Sequence, residues 1–200
     1  RRGGSAYFHV VYEHQGTVDG YASYRTKEGT LLVQELMAAT YEARAALWRF
    51  CFDVDLMSST EAYGRPMDDP LPWMLADPRR LKRSPYDGIW LRLVDLRAAL
   101  AGRRYMQDGR LVLEVRDEFC PWNEGRYELQ GGPDGALCST SDAAADIVLS
   151  AADLATTYLG AARFTALSHA GRVEERTRGA LLRADAMFAT ELAPWCPYGF

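Results

Sequence analysis

The sequence predicts an α+β fold in two parts, on three observations. Residues 7–37 hold three segments of strand character separated by turn residues, and the period switches to helical at Thr40. A second group of strand segments, from about residue 109, runs as a meander punctuated by glycine. The chain then ends in short helices and an aromatic tail. With 48% hydrophobic and 12% aromatic residues in 200, there is enough apolar side chain for buried cores.

In order, residues 7–13 (Tyr-Phe-His-Val-Val-Tyr-Glu) read as a strand, residues 14–17 as a hairpin turn, and residues 20–26 as a second strand. A turn at Lys27, Glu28 and Gly29 leads to an apolar strand over residues 30–37. Thr40 suits a helix N-cap, with Ala43, Leu47, Phe50 and Val54 recurring at helical spacing behind it. Residues 57–62 form a short strand candidate. Pro66, Pro70, Pro72, Pro78 and Pro85 then predict a crossing with little regular structure.

The second part starts near Asp87. Residues 89–94 (Ile-Trp-Leu-Arg-Leu-Val) predict a strand, 95–104 a short helix, and 109–119, 125–130 and 136–141 strands, with a glycine-rich turn at 131–135. Residues 145–149 give one more strand. Ser150 and Asp153 resemble a capping box opening a helix that stops at Gly160. Two further helices, one to about His169 and one over 177–192, precede the tail at 193–200.

Several function classes drop out. A net charge of -4 supplies no general attraction for nucleic acid. Cys51, Cys120, Cys138 and Cys196 form no C-x-x-C pair, and His9, His14 and His169 are scattered, so zinc, redox and Ser-His-Asp chemistry have no set of residues to use. No apolar run reaches the ~18 residues of a membrane helix, and no signal-peptide core follows Arg1 and Arg2. The expectation is a soluble, cytoplasmic protein. The chain has no initiator methionine, and we expect it to be part of a longer sequence.

The junction after the third strand is where chemistry is expected. A helix start binds phosphate through free backbone N–H groups, which demands glycine for close approach. Residues 35–44 here are Glu-Leu-Met-Ala-Ala-Thr-Tyr-Glu-Ala-Arg, with no glycine and with Glu42 to repel phosphate. In GNAT enzymes this place carries a Gln/Arg-x-x-Gly-x-Gly/Ala loop for acetyl-CoA, so the layout resembles that fold with its cofactor site erased.

The rest of the chain strengthens a resemblance to the enhanced intracellular survival (Eis) family of GNAT N-acetyltransferases. It is carried by residues 87–95, by Ala145-Asp146-Ile147-Val148-Leu149-Ser150 with Tyr158-Leu159-Gly160, and most specifically by Arg183-Ala184-Asp185-Ala186-Met187-Phe188 followed by Pro194-Trp195-Cys196-Pro197-Tyr198-Gly199-Phe200. The resemblance implies the C-terminal half of such an enzyme. Residues 1–86 would be part of a second, cofactor-free GNAT-like domain with an incomplete mixed sheet. Residues 87–200 would be a sterol-carrier-like domain, an antiparallel sheet covered by helices.

The same resemblance implies that the free carboxylate of Phe200 enters the active site of an N-terminal GNAT domain of the same protein and acts as general base. Acetyl-CoA would be bound by that domain, absent from this chain, and the 200 residues alone would be inactive. The acceptor would be a primary amine of aminoglycoside, polyamine or lysine type, in a homo-oligomer, a hexamer by likeness. Gly199 stands where some members carry an acidic residue, so aminoglycoside preference is not implied. Trp195, Asp95 and Trp90 are the candidate substrate-binding residues, although a strand-end Asp is commonly a cap and a strand Trp commonly core. The alternative is a lipid- or apolar-ligand-binding module without catalysis, with Leu111, Leu113, Val115, Leu154, Leu181 and Phe188 as cavity walls.

Overall fold

Two tight hairpins set the register of the first strands. Gln15 and Gly16 both have positive φ (49° and 80°), as do Glu28 and Gly29 (50° and 78°). That is the pattern of two-residue hairpin turns whose twist matches the flanking strands. The structure is a computed structural model that describes residues 6–198. It divides into one unit of residues 1–88 with 195–200 and another of residues 89–194.

In the first unit, β1 (Phe8–His14), β2 (Thr17–Lys27) and β3 (Thr30–Ala38) pair antiparallel in sequence order. Helix α1 (Tyr41–Phe52) then crosses back, and β4 (Ser59–Ala62) joins β3 in parallel. The core gathers Ala22, Leu31, Val33 and Leu36 of the sheet against Leu47, Trp48 and Cys51 of α1, with Leu71 from the short helix α2 (Leu71–Met74). The buried stripe on α1 is Ala43, Leu47, Trp48 and Cys51. The expected stripe had Phe50 in it, but Phe50 is 38% exposed and meets Tyr24 edge-on at 5.7 Å. Residues 47–52 are apolar almost all round (Leu-Trp-Arg-Phe-Cys-Phe), so periodicity alone left the buried face open to a one-residue rotation.

The second unit begins with a departure from expectation. Residues 89–94 form no strand. Two of their carbonyls, and the N–H that opens the following helix, are bonded by side chains: Asn123 Nδ2 donates to Leu93 O at 3.0 Å, Trp122 Nε1 donates to Val94 O at 2.8 Å, and Asn123 Oδ1 accepts from Leu96 N at 3.1 Å. These bonds stand where a neighbouring strand would otherwise pair with residues 93 and 94. Helix α3 (Leu96–Ala101) follows, then β5 (Gly109–Arg116), β6 (Gly125–Gly132) and β7 (Gly135–Thr140) as an antiparallel meander. Strand β5 stops three residues before the expected end because Asp117 Oδ1 accepts from Phe119 N and Cys120 N, at 3.2 and 2.9 Å, and turns the chain. Buried Asp117 also pairs with Arg92 and accepts from Asn123.

Strand β8 (Ile147–Ser150) lies on the other side of β5 and runs parallel to it, and β9 (Glu174–Glu175) pairs antiparallel with β8, making the five-stranded sheet mixed. Helices α4 (Ala151–Tyr158), α5 (Phe164–His169) and α6 (Ala180–Phe188) complete the unit. Ser150 caps α4 as expected, accepting from Asp153 N at 3.0 Å. The last helix is shorter than residues 177–192. It starts after Gly179, held at φ 86°, and ends where Ala189 turns extended. From within α6, Asp185 caps α5 by accepting from Phe164 N and Thr165 Oγ1 at 2.6 and 2.5 Å.

The core of this unit closes around Tyr105, Phe164 and Phe188, the last meeting both others edge-to-face at 5.0 Å. Arg103 lies over the Tyr105 and Phe188 rings and donates to the carbonyls of Tyr158 and Phe188. These are the C-terminal ends of α4 and α6, where helix dipoles favour a cation.

Asn123→Ala leaves Leu93 O and Leu96 N unpaired in a buried site, and we expect it to lower unfolding free energy by about 2 kcal/mol or more. Asp95→Ala removes an exposed N-cap and should cost ~1 kcal/mol. Urea unfolding of the two variants checks the order; equal losses would contradict the role given to Asn123.

Candidate functional site

In the first unit the chain after β4 enters Gly64 with φ 59°, a conformation that glycine adopts without strain. Gly64 is gripped on both sides of its backbone. Its N–H donates to the Tyr86 hydroxyl at 3.0 Å, and its carbonyl accepts from Trp195 Nε1 at 2.5 Å. A Cβ at this position would stand 3.4 Å from the carbonyl oxygen of Pro197. The C-terminal segment is thus seated on residue 64 by its indole and its backbone.

Arg65 holds the other face of that indole's environment. Its Nε donates to Asp69 Oδ2 at 2.9 Å and its Nη1 to Leu36 O at 2.8 Å. Asp69, 7% exposed, is itself fixed by accepting from Leu71 N at 2.9 Å. The guanidinium carbon lies 5.6 Å from the ring centre of Trp48 and 5.8 Å from that of Trp195. Both distances are within the range of cation–π attraction, worth roughly 0.5–2 kcal/mol each depending on desolvation.

The start of α1 is closed. Thr40 is extended (φ −123°, ψ 160°), its Oγ1 accepts from Ala43 N at 3.1 Å, and Glu42 sits in the first turn. One of the N–H groups that could face a phosphate is already capped, and a carboxylate stands beside the rest. Ala39 N is also used, donating to Asp19 O at 2.8 Å. The residues at this junction do not fit the pyrophosphate of acetyl-CoA.

Comparison with known proteins places these units. The acetyltransferase (GNAT) domain family model matches residues 1–103, and the sterol carrier protein domain family model matches residues 96–197. An uncharacterized N-acetyltransferase of Streptomyces avermitilis is 42% identical over 208 residues, covering 100% of this chain and 51% of the relative. The N-acetyltransferase Eis of Mycobacterium tuberculosis is 39% identical over 182 residues, covering 87% of this chain and 43% of Eis. The crystal structure of Eis1 from Mycobacterium abscessus superposes with a TM-score of 0.79 at 36% identity, over 91% of this chain and 48% of Eis1. This chain belongs to the acetyltransferase (GNAT) domain family. It spans about half the length of the curated relatives it matches.

Against that family background the expected site residues fall in different places. Trp195 is built into the seat just described, with its N–H on Gly64 and Arg65 over its ring. Asp95, in the second unit, is the N-cap of α3, its Oδ1 accepting from Ala98 N at 2.9 Å. Trp90, in the same unit, is 82% exposed. Phe200, with Gly199, lies outside the described residues. The residues that sequence reasoning passed over are Arg65, Gly64, Asp69 and Tyr86. Gly-Arg-Pro inside a proline-rich crossing was the available signal, and it reads as an ordinary loop until Trp195 is brought to it.

Of the cysteines, burial pushes the Cys51 and Cys138 thiols up to about 11, so neither is a thiolate nucleophile at neutral pH. Among the described residues no three His, Cys, Asp or Glu side chains gather as a metal site. No helix among them is long and apolar enough to cross a membrane. In the second unit a polar groove of about 650 Å³ lies between β8, the start of α4 and residues 171–175, lined by Arg116, Asp153, Arg172 and Glu174 among others. The apolar positions Leu111, Leu113, Val115, Leu154, Leu181 and Phe188 instead close on one another within a single core cluster.

Trp195→Phe removes the donor to Gly64 while keeping an aromatic ring. We expect exchange of the amides of residues 195, 196 and 198, the non-proline positions of this segment, to speed by about tenfold, the equivalent of one lost hydrogen bond. Exchange in β2 and β3 should stay unchanged. Mass-spectrometric hydrogen exchange reads both; an unaltered tail would show that the Nε1 bond does not hold it.

Proposed function

We propose that this chain works as part of an acetyl-CoA-dependent N-acetyltransferase acting on a primary amine, of aminoglycoside, polyamine or lysine type. Its contribution is the terminal carboxylate of Phe200 as general base. In this reading residues 1–86 belong to a cofactor-free GNAT-like domain and residues 87–200 to a sterol-carrier-like domain. Acetyl-CoA is held by an N-terminal GNAT domain outside these 200 residues. The seat of Trp195 on Gly64 and Arg65 is the observation that carries the proposal. A catalytic group at a chain end must be tethered, because ordinary termini fray. Phe200 is five positions beyond Trp195, so the chain allows its Cα at most about 18 Å from that of the anchor.

An amine attacks a carbonyl only when it is neutral, and an alkylammonium near pKa ~10.4 is mostly charged at neutral pH. A terminal carboxyl near pKa ~3.5 is anionic there, so it attracts the ammonium and accepts its proton. The gap between those values makes it a weak base in water, and withdrawal from solvent raises its basicity. Trp90 and Asp95 are assigned to the substrate side, Trp90 through its exposed ring and Asp95 through the carboxylate oxygen that its cap leaves over. By likeness to Eis proteins the working form is a homo-oligomer, a hexamer, in the cytoplasm. The mutual packing of the six apolar positions in the sterol-carrier-like domain supports this reading over a lipid-binding module.

Two measurements test the proposal. Calorimetric titration of the chain with coenzyme A should give no binding up to millimolar concentration, as the capped, acidic start of α1 requires; micromolar binding would contradict it. In the enzyme that carries this chain, deleting Phe200 should lower kcat by on the order of 10²- to 10⁴-fold with the KM for acetyl-CoA unchanged. Retained kcat would overturn the base assignment.

A further inference from the structure

We infer that Arg65 is a positioning residue for the reaction, acting only through Trp195 to aim the C-terminal segment. The inference rests on the reading of Phe200 as the base. The geometry divides the guanidinium's work into two directions. In its plane, Nε and Nη1 are committed to Asp69 and to the carbonyl of Leu36, the first a buried side chain and the second backbone of β3. These two bonds lock the plane to the framework of the first unit. Out of the plane, the guanidinium offers a flat cationic face, and Trp48 and Trp195 lie within cation–π range of it.

Trp48 is 2% exposed and belongs to the core of α1, so one of the two rings is itself part of the scaffold. Trp195 is the ring that arrives from the end of the chain. Its N–H is satisfied by Gly64, one residue before Arg65, so a single dipeptide sets both the height and the tilt of the indole. Lysine cannot replace this arrangement: it has no planar face and no fork to bond Asp69 and Leu36 together. Trp195 is five residues before Phe200 in the chain, so displacing the indole displaces the point from which that residue is tethered, and misplacement of a reacting group by an ångström can cost on the order of 100-fold in rate.

The test uses the enzyme that carries this chain, with Arg65→Lys, Trp195→Leu and deletion of Phe200, singly and combined. Arg65→Lys should lower kcat by about 10- to 100-fold and leave the KM for acetyl-CoA unchanged. Trp195→Leu spares the bonds of Arg65 to Leu36 and Asp69, so it should give the same kcat loss as Arg65→Lys even at temperatures well below the unfolding midpoint of either variant. A kcat loss that merely tracks unfolding would overturn the inference. Combined with deletion of Phe200, Arg65→Lys should cause no further loss, because both act on one group. If the two losses multiply, Arg65 acts by another route and the inference falls while the base assignment stands. If deletion of Phe200 alone leaves kcat intact, the base assignment falls. Arg65 is then judged by exchange of the Trp195 indole N–H and of the amides of residues 195, 196 and 198, which Arg65→Lys must accelerate; unchanged exchange overturns its positioning role.

Discussion

A segment near a chain end is ordered only where something removes its freedom, and here that constraint is the grip of Gly64 and Arg65 on Trp195. Fixing one residue's backbone costs roughly 1–2 kcal/mol at room temperature. One short hydrogen bond and one cation–π contact offset that over only a few positions. The prolines at 194 and 197 matter for the same reason, since each arrives with φ already set and has less freedom to lose.

The grip in turn depends on how the first unit is built. Strand β3 delivers the Leu36 carbonyl, α1 delivers the Trp48 ring, and the loop that follows β4 delivers Gly64, Arg65 and Asp69. A positive φ at residue 64 exposes a carbonyl to the tail and an N–H to Tyr86 at once. The closed start of α1 belongs to the same account. With Thr40 capping it and Glu42 in its first turn, that helix start has one N–H fewer for an anion and a carboxylate beside the rest.

Much of this fold was legible in the sequence. The two hairpin turns, the switch to helix at Thr40 and the cap at Ser150 announce themselves through local chemistry, because Gly, Thr and Ser act on their nearest neighbours. The ending 194–200 was singled out by family resemblance; of it the structure seats Trp195 on Gly64, and residues 199 and 200 lie outside those described. What was not legible is non-local. Residues 89–94 have strand composition, yet the carbonyls of Leu93 and Val94 are bonded by the side chains of Asn123 and Trp122, some 30 positions away, and not by a neighbouring strand. Arg65 reads as a loop cation until an indole 130 positions later meets it. Phe50 was misplaced for a different reason, a helix so apolar that its period carries no phase.

The central claim is that the Trp195 indole is bound and not free, and the indole proton itself reports on it. Solvent exchange of the tryptophan Nε1 protons, followed by nuclear magnetic resonance, compares Trp195 with Trp73 and Trp90, which are 90% and 82% exposed. The account expects the Trp195 proton, donated to Gly64, to exchange at least tenfold more slowly than theirs. Exchange as fast as that of Trp73 would mean that the C-terminal segment is not held, and the account would fail.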